Sequence, residues 1–143
     1  MKISTSIKGR EEVHFEFELN SKEVLTQVRL TGIGGPDFLL KLEEWRSQLQ
    51  GELKELPLPK GTDIASMLIR EVILKAQGKW NFPYKETELC HCRAVLTETV
   101  DGAVLIGAHD AKTVSQWTSA STACGTCRPD VESIISYRLF LGN

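Results

Sequence analysis

The chemistry this sequence offers lies in its four cysteines. Cys90-His91-Cys92 supplies a C-x-C pair and Cys124-Gly125-Thr126-Cys127 a C-x-x-C pair, with thirty-one residues between them, and the 143-residue chain has no other cysteine. Thiolates delivered as two close pairs suit a [2Fe-2S] cluster, in which each tetrahedral iron shares two sulfides and takes two protein thiolates. Zinc also accepts four thiolates, but its usual knuckles are spaced C-x(2–4)-C, wider than C-x-C. The spacing favours the cluster and leaves zinc as the alternative. A reducible disulfide between Cys124 and Cys127 is a third reading. It calls for a preceding strand, whereas Gln116 to Ala123 reads as a helix and a turn.

The second pair stands where a helix should begin. Arg128, Pro129 and Asp130 follow Cys127, then Val131, Ile134, Ile135 and Arg138. A proline and an acid in the first turn, ahead of apolar residues three and four apart, mark a helix N-terminus. Two ferric ions, two sulfides and four thiolates sum to minus two, and reduction takes the assembly to minus three. Unpaired backbone N–H groups and the positive end of the helix dipole offset that charge. Gly125 suits a turn in which backbone approaches sulfur closely.

The same residues resemble a known family. Cys90-His-Cys-Arg-Ala-Val, Thr97-Glu-Thr-Val-Asp-Gly-Ala-Val and Thr113-Val-Ser-Gln-Trp-Thr-Ser-Ala-Ser-Thr-Ala-Cys-Gly-Thr-Cys-Arg-Pro-Asp-Val-Glu are similar to the BFD-like [2Fe-2S] domain. That domain occurs in bacterioferritin-associated ferredoxin, in the centre of the nitrogen-fixation scaffold NifU and in some nitrite reductases. The likeness covers roughly residues 88 to 139. It implies a compact helical unit with the cluster near its surface, and it puts Cys90, Cys92, Cys124 and Cys127 on the ligand positions of the motif.

The elements that must position these residues follow from hydrophobic periodicity. Val13, Phe15, Phe17 and Leu19 alternate with His14, Glu16 and Glu18, and beyond the turn at Asn20-Ser-Lys Val24, Thr26, Val28 and Leu30 alternate with Leu25, Gln27 and Arg29. These two runs predict an antiparallel hairpin with one buried face, and Ile3, Thr5 and Ile7 predict a third strand. Gly32-Ile-Gly-Gly-Pro-Asp is expected to break the sheet. Pro36 then opens a helix whose Phe38, Leu42, Trp45 and Leu49 share a face and which ends before Gly51. After the stiff Leu56-Pro-Leu-Pro-Lys-Gly connection, Thr62 or Asp63 caps a second helix through Ile64, Met67, Leu68, Val72 and Ala76, closed by Gly78. Further on, helices are expected from Thr97 to Ala108, capped by Thr97 or Thr99, and from Thr113 to Ala120, with Val114 and Trp117 facing inward.

The fold class expected is therefore α+β. A small antiparallel sheet with helices on one face spans residues 1–79, residues 80–87 form a packed linker rich in Trp80, Phe82 and Tyr84, and a small all-α cluster-binding domain spans residues 88–143. The first of these also resembles the IscU/NifU N-terminal scaffold domain, through its hairpin, the Val28-Arg-Leu-Thr-Gly-Ile-Gly-Gly turn and the Leu56-Pro-Leu-Pro-Lys segment before its last helix. In that family the glycine-rich turn carries a ligand cysteine, where Ile33 stands here, and a second lies near Asp63 or Ala65. The resemblance implies a scaffold that has lost its thiolates.

Other candidates have plainer readings. His91 lies between two ligands, but with four cysteines present the exchange of thiolates for histidines seen in Rieske-type centres is not needed. It is expected to point past the cluster, and His14 and His109 to face solvent. Arg93 and Arg128 each follow a ligand cysteine, where a cation offsets the negative charge and can meet an acidic partner. Trp45, Trp80 and Trp117 sit at packing positions.

The charge balance of 17 basic against 19 acidic residues points to neither nucleic acid nor membrane. The N-terminus lacks the apolar core of a signal peptide, and no apolar run reaches the roughly eighteen residues of a span, so the cytoplasm is the expected compartment. No nucleophile–base set, phosphate loop or dinucleotide fingerprint is visible, and no enzyme activity is expected. The expected role is electron transfer or redox sensing with a protein partner, or an accessory part in iron–sulfur cluster assembly; a structural zinc protein is the remaining alternative.

Overall fold

The structure is a computed structural model that describes residues 1–91, 93–120 and 127–140, residue 140 by its backbone only. Cys92, Cys124 and Gly125 lie outside the described residues. The chain divides into two compact units, Met1–Trp80 and Asn81–Leu141.

In the first unit, β1 (Lys2–Ser6), β2 (Glu12–Leu19) and β3 (Leu25–Ile33) form an antiparallel sheet in sequence order. Its register sets Ile3 beside Phe15 and Phe15 beside Leu30. Val13, Phe15 and Phe17 are at most 2% exposed, so the period-two pattern of β2 does mark one buried face. The turn between β2 and β3 is fixed by Asn20, whose side-chain oxygen accepts the amides of Lys22 and Val24 at 2.8 and 3.1 Å.

Gly32, expected to break the sheet, stays inside it, paired with Val13. A β-carbon there would strike the Glu12 carbonyl and come within 2.7 Å of a Leu42 methyl. The glycine is thus what lets the first helix settle on the sheet edge. That helix, α1 (Pro36–Arg46), packs on β3 and buries Phe38 and Leu42. It stops one turn short of Leu49, because the amides of Gln48 and Leu49 turn back to the carbonyls of Trp45 and Arg46; Leu49 is buried nonetheless.

α2 (Ile64–Ala76) lies against β1 and β2. Asp63 caps it, accepting the Ser66 amide at 3.1 Å and the Ser66 hydroxyl at 2.7 Å. Its far end closes on Gly78, at φ +72°, with Gly78 N–H bonded to Lys75 O and Lys79 N–H to Leu74 O. Arg70, almost wholly buried, donates to the carbonyls of Pro59 and Gly61 and so ties α2 to the proline-rich connection.

The second unit contains β4 (Glu88–Cys90), β5 (Val95–Leu96), α3 (Thr97–Leu105), α4 (Ala111–Thr118) and α5 (Arg128–Phe140). The three helices pack on one another around Val100, Val104, Val114, Val131 and Ile134. The short β4–β5 hairpin adds a strand pair to the helical unit, with Cys90 opposite Val95. Thr97 is the first residue of α3 rather than its cap. Its hydroxyl donates to Glu86 O at 2.6 Å and its amide to Thr87 O at 2.7 Å, so it stitches the helix to the segment before β4. α4 begins two residues earlier than its apolar pattern predicts because Asp110 caps it, accepting the Thr113 amide at 2.8 Å. Among the described residues no helix is long and apolar enough to cross a membrane.

Candidate metal centre

Cys90 ends β4, and the chain returns through Arg93 and Ala94 to β5. Ala94 adopts φ +53°, the left-handed conformation that lets so short a loop reverse the chain. Cys127 stands at the start of α5. Its carbonyl accepts the Val131 amide at 3.0 Å, the first bond of the helix, so Cys127 holds the N-cap position.

Cys90 is 2% exposed and Cys127 6%, both are thiols rather than half-cystines, and both belong to the same apolar core as Leu89, Val100 and Val131. The structure therefore places one member of each pair in the same apolar core. Cys92 and Cys124 lie outside the described residues, and among the described residues no three His, Cys, Asp or Glu side chains converge on one point.

Two buried thiols, one at a helix N-cap, fit a soft metal or an iron–sulfur group and fit a hard oxygen-seeking cation poorly. The end of a helix supplies N–H groups and a favourable dipole to negative charge on sulfur. Residues 89–136 match the family model of the BFD-like [2Fe-2S] binding domain. That match covers about a third of the chain; it begins in β4 and ends within α5. Comparison of the chain with curated proteins and with solved structures returned no match.

The residues flanking the centre take defined places. His91 points away from the core: its ring is 68% exposed, and Nδ1 meets Glu88 Oε1 at 2.5 Å. Arg128, the first residue of α5, is exposed and pairs with Glu132 one turn on, Nε to Oε1 at 2.9 Å. Arg93 is exposed in the hairpin loop.

Three expectations fail here. Trp117 is 53% exposed rather than inward, lying beside Gly107 at the α3–α4 corner, while Val114 alone fills the core side of α4. His109 does not face solvent: its Nε2 is buried, with no hydrogen-bond partner among the described residues. His14 is only partly exposed, held between the Ser4 hydroxyl at 2.7 Å and Glu12 at 3.3 Å on the open face of the sheet.

Two contributors were not singled out by spacing. Arg138, 4% exposed, forms a two-pronged pair with Asp101, Nε to Oδ1 at 2.7 Å and an outer nitrogen to Oδ2 at 2.6 Å, which clamps α5 to α3. An arginine among the apolar positions of a helix, with an acid inside the preceding helical run, is the signal that would have flagged it. Tyr84 packs against the core that holds Cys90 and Cys127, and its hydroxyl donates to Glu88 O at 3.1 Å. Partial burial, then the carboxylates of Glu86 and Asp130, push the phenol above its ordinary value, and Cys127 acts in the same direction.

Proposed function

We propose that this chain is a non-enzymatic iron–sulfur protein in which Cys90, Cys92, Cys124 and Cys127 hold a [2Fe-2S] cluster and which exchanges single electrons with a protein partner. The observation that carries the proposal is Cys127 at the N-cap of α5, buried in one core with Cys90 inside the matched segment. When bound, the cluster supplies a one-electron couple between net charges of minus two and minus three. The protein's part is to hold four thiolates and to offset that charge. The unpaired first amides of α5 and its dipole would offset that charge beside Cys127, and Arg128 adds an exposed cation.

A second reading is an accessory role in iron–sulfur assembly. It is favoured by the order of the units: a three-stranded sheet with α1 and α2 packed on it precedes the matched segment, as the resemblance of residues 1–79 to the IscU/NifU scaffold implies.

Anaerobic purification with a visible spectrum and iron and sulfide counts tests the shared premise. Brown protein with two irons and two sulfides per chain is expected, and colourless protein with one zinc refutes it. Reversible one-electron reduction then supports the carrier. Stoichiometric transfer of the cluster to an apo-ferredoxin, without reversible reduction, supports assembly instead.

A further inference from the structure

The matched segment begins at Leu89, yet the cluster-binding unit begins at Asn81, and the residues between them are built into it. The Asn81 amide donates to the Tyr137 hydroxyl at 2.7 Å, and the Phe82 ring meets the Tyr137 ring edge-on at 6.1 Å. The Arg138 guanidinium lies 5.8 Å from the centre of the Phe82 ring. Pro83 borders a shallow groove with Pro129 and Tyr137, so the segment runs along α5 towards its N-terminus. There Tyr84 turns into the core shared by Cys90 and Cys127, and its hydroxyl reaches the Glu88 carbonyl, two residues before Cys90.

Cys90 and Cys127 come from segments far apart in sequence. We propose that Tyr84 is a positioning residue for them, its ring packed against the core that holds both and its hydroxyl holding β4, so that Cys90 and Cys127 are spaced for their metal before it arrives. This rests on the reading of the four cysteines as a metal centre. The residues that hold a ligand in place typically change metal affinity by about tenfold or more when removed, and the phenol hydroxyl is the one polar group of Tyr84 that reaches β4.

The test uses the full chain and three proteins: wild type, Tyr84→Phe, and Tyr137→Phe as a control that loses a hydroxyl bond at the other end of the same segment. Chelator-driven loss of the cluster is followed by visible absorbance, and cobalt(II) binding to the metal-free protein by its thiolate ligand-field bands. Tyr84→Phe is expected to release the cluster about tenfold faster, bind cobalt correspondingly more weakly and show displaced cobalt bands, with an unchanged melting temperature of the metal-free protein. Tyr137→Phe is expected to match wild type in release and in cobalt bands. Equal release and identical bands in Tyr84→Phe and wild type overturn the assignment. So does an equal effect of Tyr137→Phe, or a fall in melting temperature that accounts for the change, because either reduces Tyr84 to general packing. Wild-type protein that takes up neither cluster nor cobalt overturns the metal centre itself, and is recognised because it fails before any variant is compared.

Discussion

The Cys127 carbonyl accepts the Val131 amide at 3.0 Å, so the residue that starts α5 is also one of the four cysteines proposed as ligands. The two roles have different chemical requirements. A helix cap needs a small side chain and a carbonyl in the right place, and serine meets that need well. A soft metal needs a thiolate, and serine does not supply one.

Cys127→Ser is therefore expected to keep the helical content of the protein and lose the cluster, while Cys90→Ala, Cys92→Ala, Cys124→Ala and Cys127→Ala each lose it as well. Iron and sulfide analysis read against far-ultraviolet circular dichroism checks this. Full iron and sulfide in any of the five refutes the ligand set, and loss of helix in Cys127→Ser shows that the cap depends on the thiol.

The Arg138–Asp101 clamp should dominate the stability of the second unit. Removing one partner of a buried pair leaves the other charge uncompensated, at a cost of about 3–5 kcal/mol; Asp101 retains 19% exposure, which places Asp101→Ala at the low end. Urea unfolding of the metal-free protein is expected to show that loss. A change below about 1 kcal/mol, the range of surface pairs, means water already shares the site.

Much of this architecture was legible in the sequence because the signals were long. β2 repeats over enough residues for period two to be unambiguous, and α2 presents a cap, an apolar run and a closing glycine in order. The cysteine spacing and Pro129 together located the start of α5. The β4–β5 hairpin was not legible, since strands of 3 and 2 residues contain no period to read. Trp117 misled because its three-residue spacing from Val114 describes a helix face, and on an eight-residue helix that face is wider than the core beneath it. The role of Tyr84 depends on a bond to a backbone carbonyl, and no side-chain pattern encodes that.

The two aspartate caps make a pH prediction. The Thr113 amide and then its hydroxyl hold the Asp110 carboxyl below its ordinary value. Burial alone would raise Asp63, but its bonds from the Ser66 hydroxyl and amide, with Lys41 nearby, bring it below as well. Because both native values are depressed, the stability they contribute is complete above the ordinary 3.8 and is lost as pH falls through the native values. Asp63→Asn and Asp110→Asn, which keep a capping oxygen, are expected to flatten the acid limb of the stability curve. An acid limb identical to wild type in the double variant removes the caps from the account.

Residues 1–79 contain no cysteine and nearly coincide with the first compact unit. A fragment ending at Lys79 is expected to unfold cooperatively in urea and to take up no cluster during reconstitution. Sulfide-containing iron in stoichiometric amount on that fragment refutes the reading of a scaffold without thiolates. A broad, non-cooperative transition shows that the sheet and its two helices do not stand alone.

Electron transfer makes the sharpest electrostatic prediction. Reduction adds one negative charge to the centre, so a nearby cation favours the reduced state and a nearby anion opposes it. Arg128 opens α5 directly after Cys127, but its charge is partly answered by Glu132 at 2.9 Å. Arg128→Glu replaces attraction with repulsion and sets two acids one turn apart, and is expected to lower the reduction potential. Glu132→Gln removes the opposing charge and is expected to raise it. Both side chains are more than half exposed, so both shifts should shrink with added salt. Potentiometric titration followed by electron paramagnetic resonance reads the outcome, since the oxidised cluster is silent and the one-electron-reduced form carries an unpaired spin. Shifts of the same sign, or none, leave the carrier standing and remove Arg128 from its tuning. Absence of any reversible signal between about −700 and +450 mV, the span of protein iron–sulfur centres, removes the carrier and leaves the assembly role.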